Sequence, residues 1–401
     1  SFGQTMVDKM ENKVVIREYN EDRDIEVVGK LEKKCEIGSN KEVSIFTNMM
    51  GDPLSRIRFY PVHIMLVAEM RENGELVGVV RGCIKCVGTR FGAKYLRLGC
   101  ILGLRVSPRH RRMGIGLRLV RSVEEWLIIK GAHYTFLATE KNNVASTSLF
   151  TSKCNYIHLS SLVIFAQPTS LPVKGQLSQD IKIEKLQIDQ AISLYNTKFR
   201  GKDIYPADID VILKEKLSIG TWVSYFKEEE WIALHSNQRN IDIVSETPSS
   251  WAIFSIWKYS CKTYKLHIRK SDPFKVFRAT LCHARGKIFP CLKSPICPSL
   301  QKPFGFLFLY GLYGEGERLE ELMKSIWSFA SRLAENVKDC KVIITELGAS
   351  DPLMEHMPQE SSMSCINDLW YLKKVNGITD ERDQQVIVGQ VGNVFVDPRD
   401  F

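Results

Sequence analysis

Downstream of residue 116 the apolar positions recur with helical period. Leu119, Val120, Val123 and Leu127 fall on one stripe, while Arg118, Arg121, Glu124 and Glu125 lie off it. The stripe predicts an amphipathic helix packed on a sheet, ended by Gly131, since glycine readily adopts the left-handed conformation that closes helices. Short β-prone runs flank it, Cys100-Ile101-Leu102-Gly103-Leu104 before and Tyr134-Thr135-Phe136-Leu137-Ala138 after. Between the first run and the helix lies a turn, residues 106–116, reading Val-Ser-Pro-Arg-His-Arg-Arg-Met-Gly-Ile-Gly. A helix start leaves backbone N–H groups without partners and carries positive partial charge, and glycines at 114 and 116 let a ligand approach closely. The unit predicts a phosphate cradle.

Upstream, residues 63–70 and 75–87 are β-rich and joined by Glu72-Asn73-Gly74, a hairpin signature. Helices are expected over residues 23–34 and 43–50. Residues 171–179 are polar with proline and glycine, as in a linker. Beyond them come β-prone Ile181-Lys182-Ile183, a helical pattern over 187–198, and strands over 221–226, 251–259 and 265–268. The first pattern then returns: strand 304–310, turn 311–318, helix 319–335, strand 342–346, with 353–357 and 369–373 as last helix and strand. The strands even end alike, Ala138-Thr139-Glu140 against Ile344-Thr345-Glu346. The second turn has Glu315 and Glu317 where the first has arginines, so its carboxylates are expected to face and repel phosphate. The alternative is an ordinary α/β domain with a coincidental glycine turn.

A chain of 401 residues suggests two domains. The expected division is a disordered or extraneous start (1–13), a first domain (14–170), a linker (171–180) and a second domain (181–401). With 44% hydrophobic and 25% charged residues the composition is that of a globular protein. No apolar run approaches the roughly 20 residues needed to span a bilayer, and residues 1–20 lack a signal-peptide core, so no membrane association and an intracellular location are expected. The net charge of +9, from 55 basic and 46 acidic side chains, attracts polyanions without naming one. Zinc-finger spacing, an RNP aromatic pair and a long basic helix are all missing, so direct nucleic-acid binding is not expected.

Eleven cysteines without even spacing fit free thiols in a reducing compartment. Cys83 and Cys86 lie three apart in a predicted strand and should face opposite sides, while Cys282, His283, Cys291 and Cys297 match no common zinc spacing. No metal is expected. The proline-containing segment 285–303 reads as an irregular loop, either a cover for the first domain's cleft or inert surface.

Three nucleotide motifs compete for the first turn. A P-loop needs Lys-Ser or Lys-Thr after its second glycine, where Leu117-Arg118 stand, and a dinucleotide fold needs three spaced glycines and a later acidic residue. Neither fits. The spacing Arg111-x-x-Gly114-x-Gly116 resembles the pyrophosphate loop of the GNAT acetyltransferase superfamily, and Asn143-Val144-Ala145-Ser146-Thr147-Ser148-Leu149-Phe150 resembles that superfamily's next motif. The resemblance covers residues 14–168 and implies a mixed α/β GNAT fold with acetyl-CoA as cosubstrate. The second half then reads as a degenerate GNAT-like domain. Whole phrases, among them Cys35-Glu36-Ile37-Gly38, Gly51-Asp52-Pro53 and Phe395-Val396-Asp397-Pro398-Arg399-Asp400-Phe401, are similar to the plant Hookless family of N-acetyltransferases. That similarity implies a plant protein of growth or hormone response, in the nucleus or the cytoplasm.

The resemblance assigns roles to residues. Backbone N–H groups of Arg111, Arg112, Met113, Gly114, Ile115 and Gly116 would grip the pyrophosphate. Main-chain groups of Leu104, Arg105 and Val106 would pair with the pantetheine amides. Asn143 would hydrogen-bond the arm, and Leu149 and Phe150 would flank it. Many relatives have a tyrosine at the Phe150 position to protonate the leaving thiolate, and Phe150 has no proton to give. The strand 98–106 also lacks a carboxylate, which leaves Glu140 and Glu69 as candidate general bases, with His63 and His133 behind them. Two function classes follow: an acetyl-CoA-dependent N-acetyltransferase acting on a protein lysine, as in histone, or a small amine, and a non-catalytic CoA-binding regulatory protein working through protein contacts or oligomerisation.

Overall fold

The computed structural model describes residues 12–37, 44–48, 52–90, 95–140, 143–170, 178–236, 243, 246–259, 265–269, 305–358, 363–375 and 391–401. The first half gives β1 (Val14–Glu18), α1 (Glu21–Ile37), β2 (Ser44–Asn48), β3 (His63–Met70), β4 (Leu76–Thr89), β5 (Leu96–Val106), α2 (Ile115–Ile129), β6 (Tyr134–Glu140), α3 (Val144–Ser148) and β7 (Ile157–Pro168). There follow β8 (Ile181–Lys185), α4 (Ile188–Lys198), β9 (Ile204–Pro206), α5 (Ile209–Lys214), β10 (Ser218–Phe226), α6 (Ile232–His235), β11 (Trp251–Tyr259) and β12 (Lys265–Arg269). The chain closes with β13 (Gly305–Glu315), α7 (Leu319–Glu335), β14 (Cys340–Gly348) and β15 (Ser364–Lys374).

Thirteen strands join in one mixed sheet, ordered β1-β3-β4-β5-β6-β15-β7-β14-β13-β11-β10-β8, with β9 on β4. Most pairs are antiparallel, while β5:β6 and β13:β14 are parallel, as strand-helix-strand units require. The strand β15 enters between β6 and β7, and β7 pairs in turn with β14. The last strand therefore lies in the first half's part of the sheet, and β7, not β15 as expected, is the strand beside β14.

The helix α2 buries Leu119, Val120, Val123 and Leu127, as its stripe predicts. It lies close to the sheet because β4 offers glycines beneath it. A Cβ at Gly78 would come 2.8 Å from Leu119, and one at Gly82 would come 2.6 Å from Val123. A buried polar group fixes the helix further: Glu124 accepts from the Tyr156 hydroxyl at 2.7 Å and from Lys373 of β15 at 2.9 Å. Gly131 is left-handed at φ 91°, as expected past the helix end.

The second unit repeats the first in detail. Gly103 in β5 has φ 64° and Gly311 in β13 has φ 65°. Each coincides with a register shift, between Val79 and Arg81 against β5 and between Ile253 and Ser255 against β13. Two β-bulges thus occupy matching places.

Other expectations are corrected. Residues 44–48 form a strand, not a helix, because Ile45 and Thr47 pair with Ile268 and Leu266 of β12 and this cross-strand pairing overrides local period. The strand β13 runs on through the predicted turn to Glu315, since Tyr313–Glu315 stay paired with β11, so the turn contracts to Gly316, Glu317 and Arg318. Residues Pro352–His356 make a 3₁₀ turn rather than an α-helix. Cys282, His283, Cys291, Cys297 and the segment 285–303 lie outside the described residues.

Residues 391–401 lock the centre of the molecule. Lys85 of β4 pairs with Asp400 and reaches Asp397 at 4.0 Å, and Arg399 bridges Asp397 and Asp208 at 2.7 and 2.8 Å. Burial alone would discharge Lys85, yet Asp400, the Cys100 thiol and Asp397 more than offset it and hold its pKa above the ordinary value. Gly82→Ala should overpack the α2 face and lower stability by about 1–3 kcal/mol, measured by denaturant unfolding. Wild-type stability in that variant would mean that α2 does not rest on β4 so closely.

Candidate active site

The strands β5 and β6 pair only from Leu98–Tyr134 to Cys100–Phe136. Beyond that point β5 continues to Val106 and β6 to Glu140 without further mutual pairing, which leaves a gap between two strand edges. The gap opens toward the turn ahead of α2.

That turn starts with buried Ser107, whose N–H donates to Val77 O at 2.8 Å, and a 3₁₀ turn, Pro108–His110. Arg112 (φ 62°) and Gly114 (φ 81°) are both left-handed and curl the backbone into the helix. Gly114 is the N-cap and has no side chain to offer, and the first turn of α2 contains no acidic residue. The first bond back to the cap is Arg118 N–H to Gly114 O at 3.1 Å, so the N–H groups of Ile115, Gly116 and Leu117 precede the helical ladder. A Cβ at Gly114 would meet nothing within 4 Å. Uncapped donors, open space and nearby Arg109, Arg111 and Arg112 fit a diphosphate. Gly116 faces Leu149 and Val106, 3.5 and 3.6 Å from where its Cβ would stand.

The remaining expected residues gather around the same gap. Asn143 caps α3 through its Oδ1, which accepts from Ser146 N–H at 3.2 Å, so its amide Nδ2 is the group left to donate. A π-helical turn, Leu149–Lys153, follows, and Phe150 is buried edge-on to Tyr156 at 5.8 Å. The Tyr156 hydroxyl points to Thr135 and Glu124, and burial, with Glu124 second, raises its pKa. It is committed to the α2 face and is no substitute for the missing phenol at 150.

The opposite face of the gap is cationic. Arg81, 1% exposed, spans from Pro53 O (2.6 Å) to Gly103 O (3.0 Å) and pairs with Glu32 of α1. It fills the space that any side chain at Gly103 would need. Arg105 is exposed at the mouth and donates to Leu104 O at 2.9 Å. Val106 O accepts from Arg111 Nε at 3.3 Å and from the Cys35 thiol at 3.4 Å.

Of the two proposed bases, Glu69 is held by Arg17 at 2.5 Å and Arg23 at 3.8 Å. Glu140 ends β6 opposite Asp368 of β15, and its side chain lies outside the described residues. Arg81 and Asp368 have no part in the sequence expectations, and Glu346 enters them only as the end of its strand. Each is a charged residue with apolar residues close by in its strand, and that contrast is the signal by which they were findable.

The second turn differs from the first. A Cβ at Gly316 would collide with Ser249 O and Ser250 Oγ, and Ser250 Oγ accepts from Arg318 N–H at 3.3 Å. Glu315 does not face the turn as expected. It is drawn aside by Lys198 at 2.7 Å, Tyr313 at 2.6 Å and Trp251 at 3.1 Å. The space between β13 and β14 retains only about 10 Å³, lined by Val394, Phe395 and Val396.

Residues 45–156 match the family model described as acetyltransferase (GNAT) family. The probable N-acetyltransferase HLS1 of Arabidopsis thaliana is 36% identical over 96% of this chain and 100% of its own length. The acetyl transferase GW6a of Oryza sativa subsp. japonica is 29% identical, with 97% of each chain covered. Among solved structures, Saccharomyces cerevisiae N-myristoyltransferase with bound myristoyl-CoA and inhibitors superimposes with a TM-score of 0.52 at 12% identity, covering 96% of this chain and 87% of that one, a likeness of fold. With a full-length relative at this identity behind the turn and the gap it opens into, the chain belongs to the acetyltransferase (GNAT) family.

Proposed function

We propose that the protein transfers the acetyl group of acetyl-CoA to a primary amine by direct attack, at one site in residues 14–170. The observation behind this reading is the uncapped, glycine-led start of α2 at the mouth of the β5:β6 gap. The N–H groups near residues 111–116 would hold the diphosphate, the edge of Leu104–Val106 the pantetheine amides, and Asn143, Leu149 and Phe150 the arm. The acceptor is a protein lysine, as in histone, or a small amine, in plant growth or hormone response and in the nucleus or cytoplasm. Residues 181–401 act as a degenerate GNAT-like domain that takes no CoA, because the chain itself fills its turn and its gap.

The chemistry sets one demand on this site. A lysine-like amine of pKa near 10.4 is neutral only about one part in a thousand at pH 7, a cost of roughly 4–5 kcal/mol. Acetyl transfer therefore needs a proton acceptor beside the gap. The leaving sulfur needs no partner from Phe150 if it takes the proton shed by the attacking nitrogen. The buried, hydroxyl-free Phe150 is also the one observation that favours a CoA-binding regulator without turnover. Calorimetry with acetyl-CoA followed by thiol release against histone peptides and plant amines separates the two: tight binding with no release selects the regulator.

Gly114→Glu should weaken acetyl-CoA binding by roughly tenfold to a hundredfold, about 1–3 kcal/mol, because it sets a carboxylate against the diphosphate. The left-handed backbone adds a folding strain of about 1–2 kcal/mol, which Gly114→Ala shares without the charge. Equal affinity in the glutamate and alanine variants would remove the diphosphate from this turn. The pair Glu315→Ala and Glu317→Ala should leave acetyl-CoA affinity unchanged by calorimetry, and any loss would move the cofactor to the second turn.

A further inference from the structure

Glu346 stands on β14 at the place that Glu140 holds on β6. It is 7% exposed, yet its Oε1 has no hydrogen-bond partner. It lines the small cavity between β13 and β14 together with Lys202, Tyr310 and Phe395. The neighbour it does engage is a second carboxyl, Asp368 of β15.

Register fixes where this pair lies. Glu346 is opposite Ile164 of β7, and Asp368 is opposite Leu162 of β7 and Glu140 of β6. Leu162 and Ile164 belong to the same core as Leu98, Cys100 and Phe136, on the face away from α2. Asp368 therefore stands one strand beyond β6, at the end where β6 has parted from β5 and on the face of the gap that α1 and Arg105 border.

Carboxylates in contact cannot both be ionised, so the two share a proton. Glu346 is the deeper and keeps it: burial raises its pKa, Asp368 raises it further, and Asp400 adds to both. The surrounding cations are spent elsewhere. Lys202 is paired with Asp351 at 3.0 Å, and Lys85 with Asp400 and Asp397. Tyr310 faces the same cavity, its hydroxyl bonded to Ser218 at 2.5 Å. Glu140 is the register partner from β6.

We propose that Asp368 is the proton acceptor for the incoming amine and that Glu346, through the shared proton, is the residue that positions and tunes it. This assignment rests on the acetyl-transfer function proposed above. The acceptor ammonium gives its first proton to the Asp368 carboxylate, which returns it to solvent. The freed lone pair forms the N–C bond to the thioester carbonyl carbon. As the C–S bond breaks, its electron pair leaves on sulfur, and the second proton shed by nitrogen ends there as the thiol. The sequence therefore consumes one ammonium and one thioester, and yields one amide, one thiol and one proton.

The experiment measures kcat/KM against pH for transfer from acetyl-CoA to histone-tail peptides and plant amines. Asp368→Asn should lower kcat/KM by roughly 10²–10⁴-fold while acetyl-CoA affinity stays as in wild type. Glu346→Gln should fold and shift the acid limb of the profile to higher pH, because Asp368 loses the shared carboxylic proton that stabilises its anion. An undiminished rate in Asp368→Asn, or an acid limb that does not move in Glu346→Gln, overturns the proposal. Two readouts need no turnover. Infrared spectroscopy at neutral pH should show a protonated carboxyl in wild type that Glu346→Gln lacks. Folding raises the Glu346 pKa, so wild-type stability should fall as pH climbs from the usual carboxylate range through the raised value, and Glu346→Gln should lose that slope. A wild type that acetylates no amine overturns the acetyl-transfer function and the role of Asp368 together. A wild type without the protonated carboxyl overturns the pair alone.

Discussion

A helix that begins without a cap keeps its first amide hydrogens unsatisfied unless something outside the helix meets them. A side chain does this for the turn at Leu353, through Asp351, and for α3, through Asn143. At α2 the cap is Gly114, left-handed and bare, and the first turn contains no carboxylate. The rest of the architecture serves to hold that start in place. The four-residue stripe packs over the glycines of β4, and Glu124 ties the helix to Tyr156 and to Lys373 of the far strand β15.

The gap below the cradle has an equally local cause. Gly103 bulges β5 over a buried guanidinium, and Arg81 turns the distortion into a fixed feature by bonding Pro53 O, Gly103 O and Glu32. The same bulge recurs at Gly311, with a tyrosine beneath it in place of arginine. The two units nevertheless diverge. Around the second, Ser249 and Ser250 crowd the turn and residues 394–396 line the gap, whereas the first turn leaves open space at Gly114. One sheet joins them because β15 lies between β6 and β7, which brings Asp368 beside the first half's splayed edge.

Local features were legible in the sequence. The stripe of α2, the hairpin at Gly74, the left-handed Gly131 and the helix over 319–335 all depend on neighbours within a few residues. Features set by distant partners were not. Residues 44–48 are a strand because β12 pairs with them, and β13 outlasts its glycine because β11 does. The strand 369–373 was visible as a strand, but its place between β6 and β7 depends on strands more than two hundred residues away. The same applies to the site. The cradle could be read from glycines and arginines in a row, while Glu315 looked like a repulsive wall until Lys198, Tyr313 and Trp251 were seen to draw it aside. Arg81, Asp368 and Glu346 stood in the sequence among apolar strand residues, and only the register shows what they face.

The most direct test is a crystal structure of the full chain with acetyl-CoA bound. The account predicts one molecule per chain, its diphosphate against the amide hydrogens that open α2 and its pantetheine between β5 and β6. Density for the diphosphate at the turn before α7, or anywhere that leaves the amides of Ile115 and Gly116 in solvent, would contradict it.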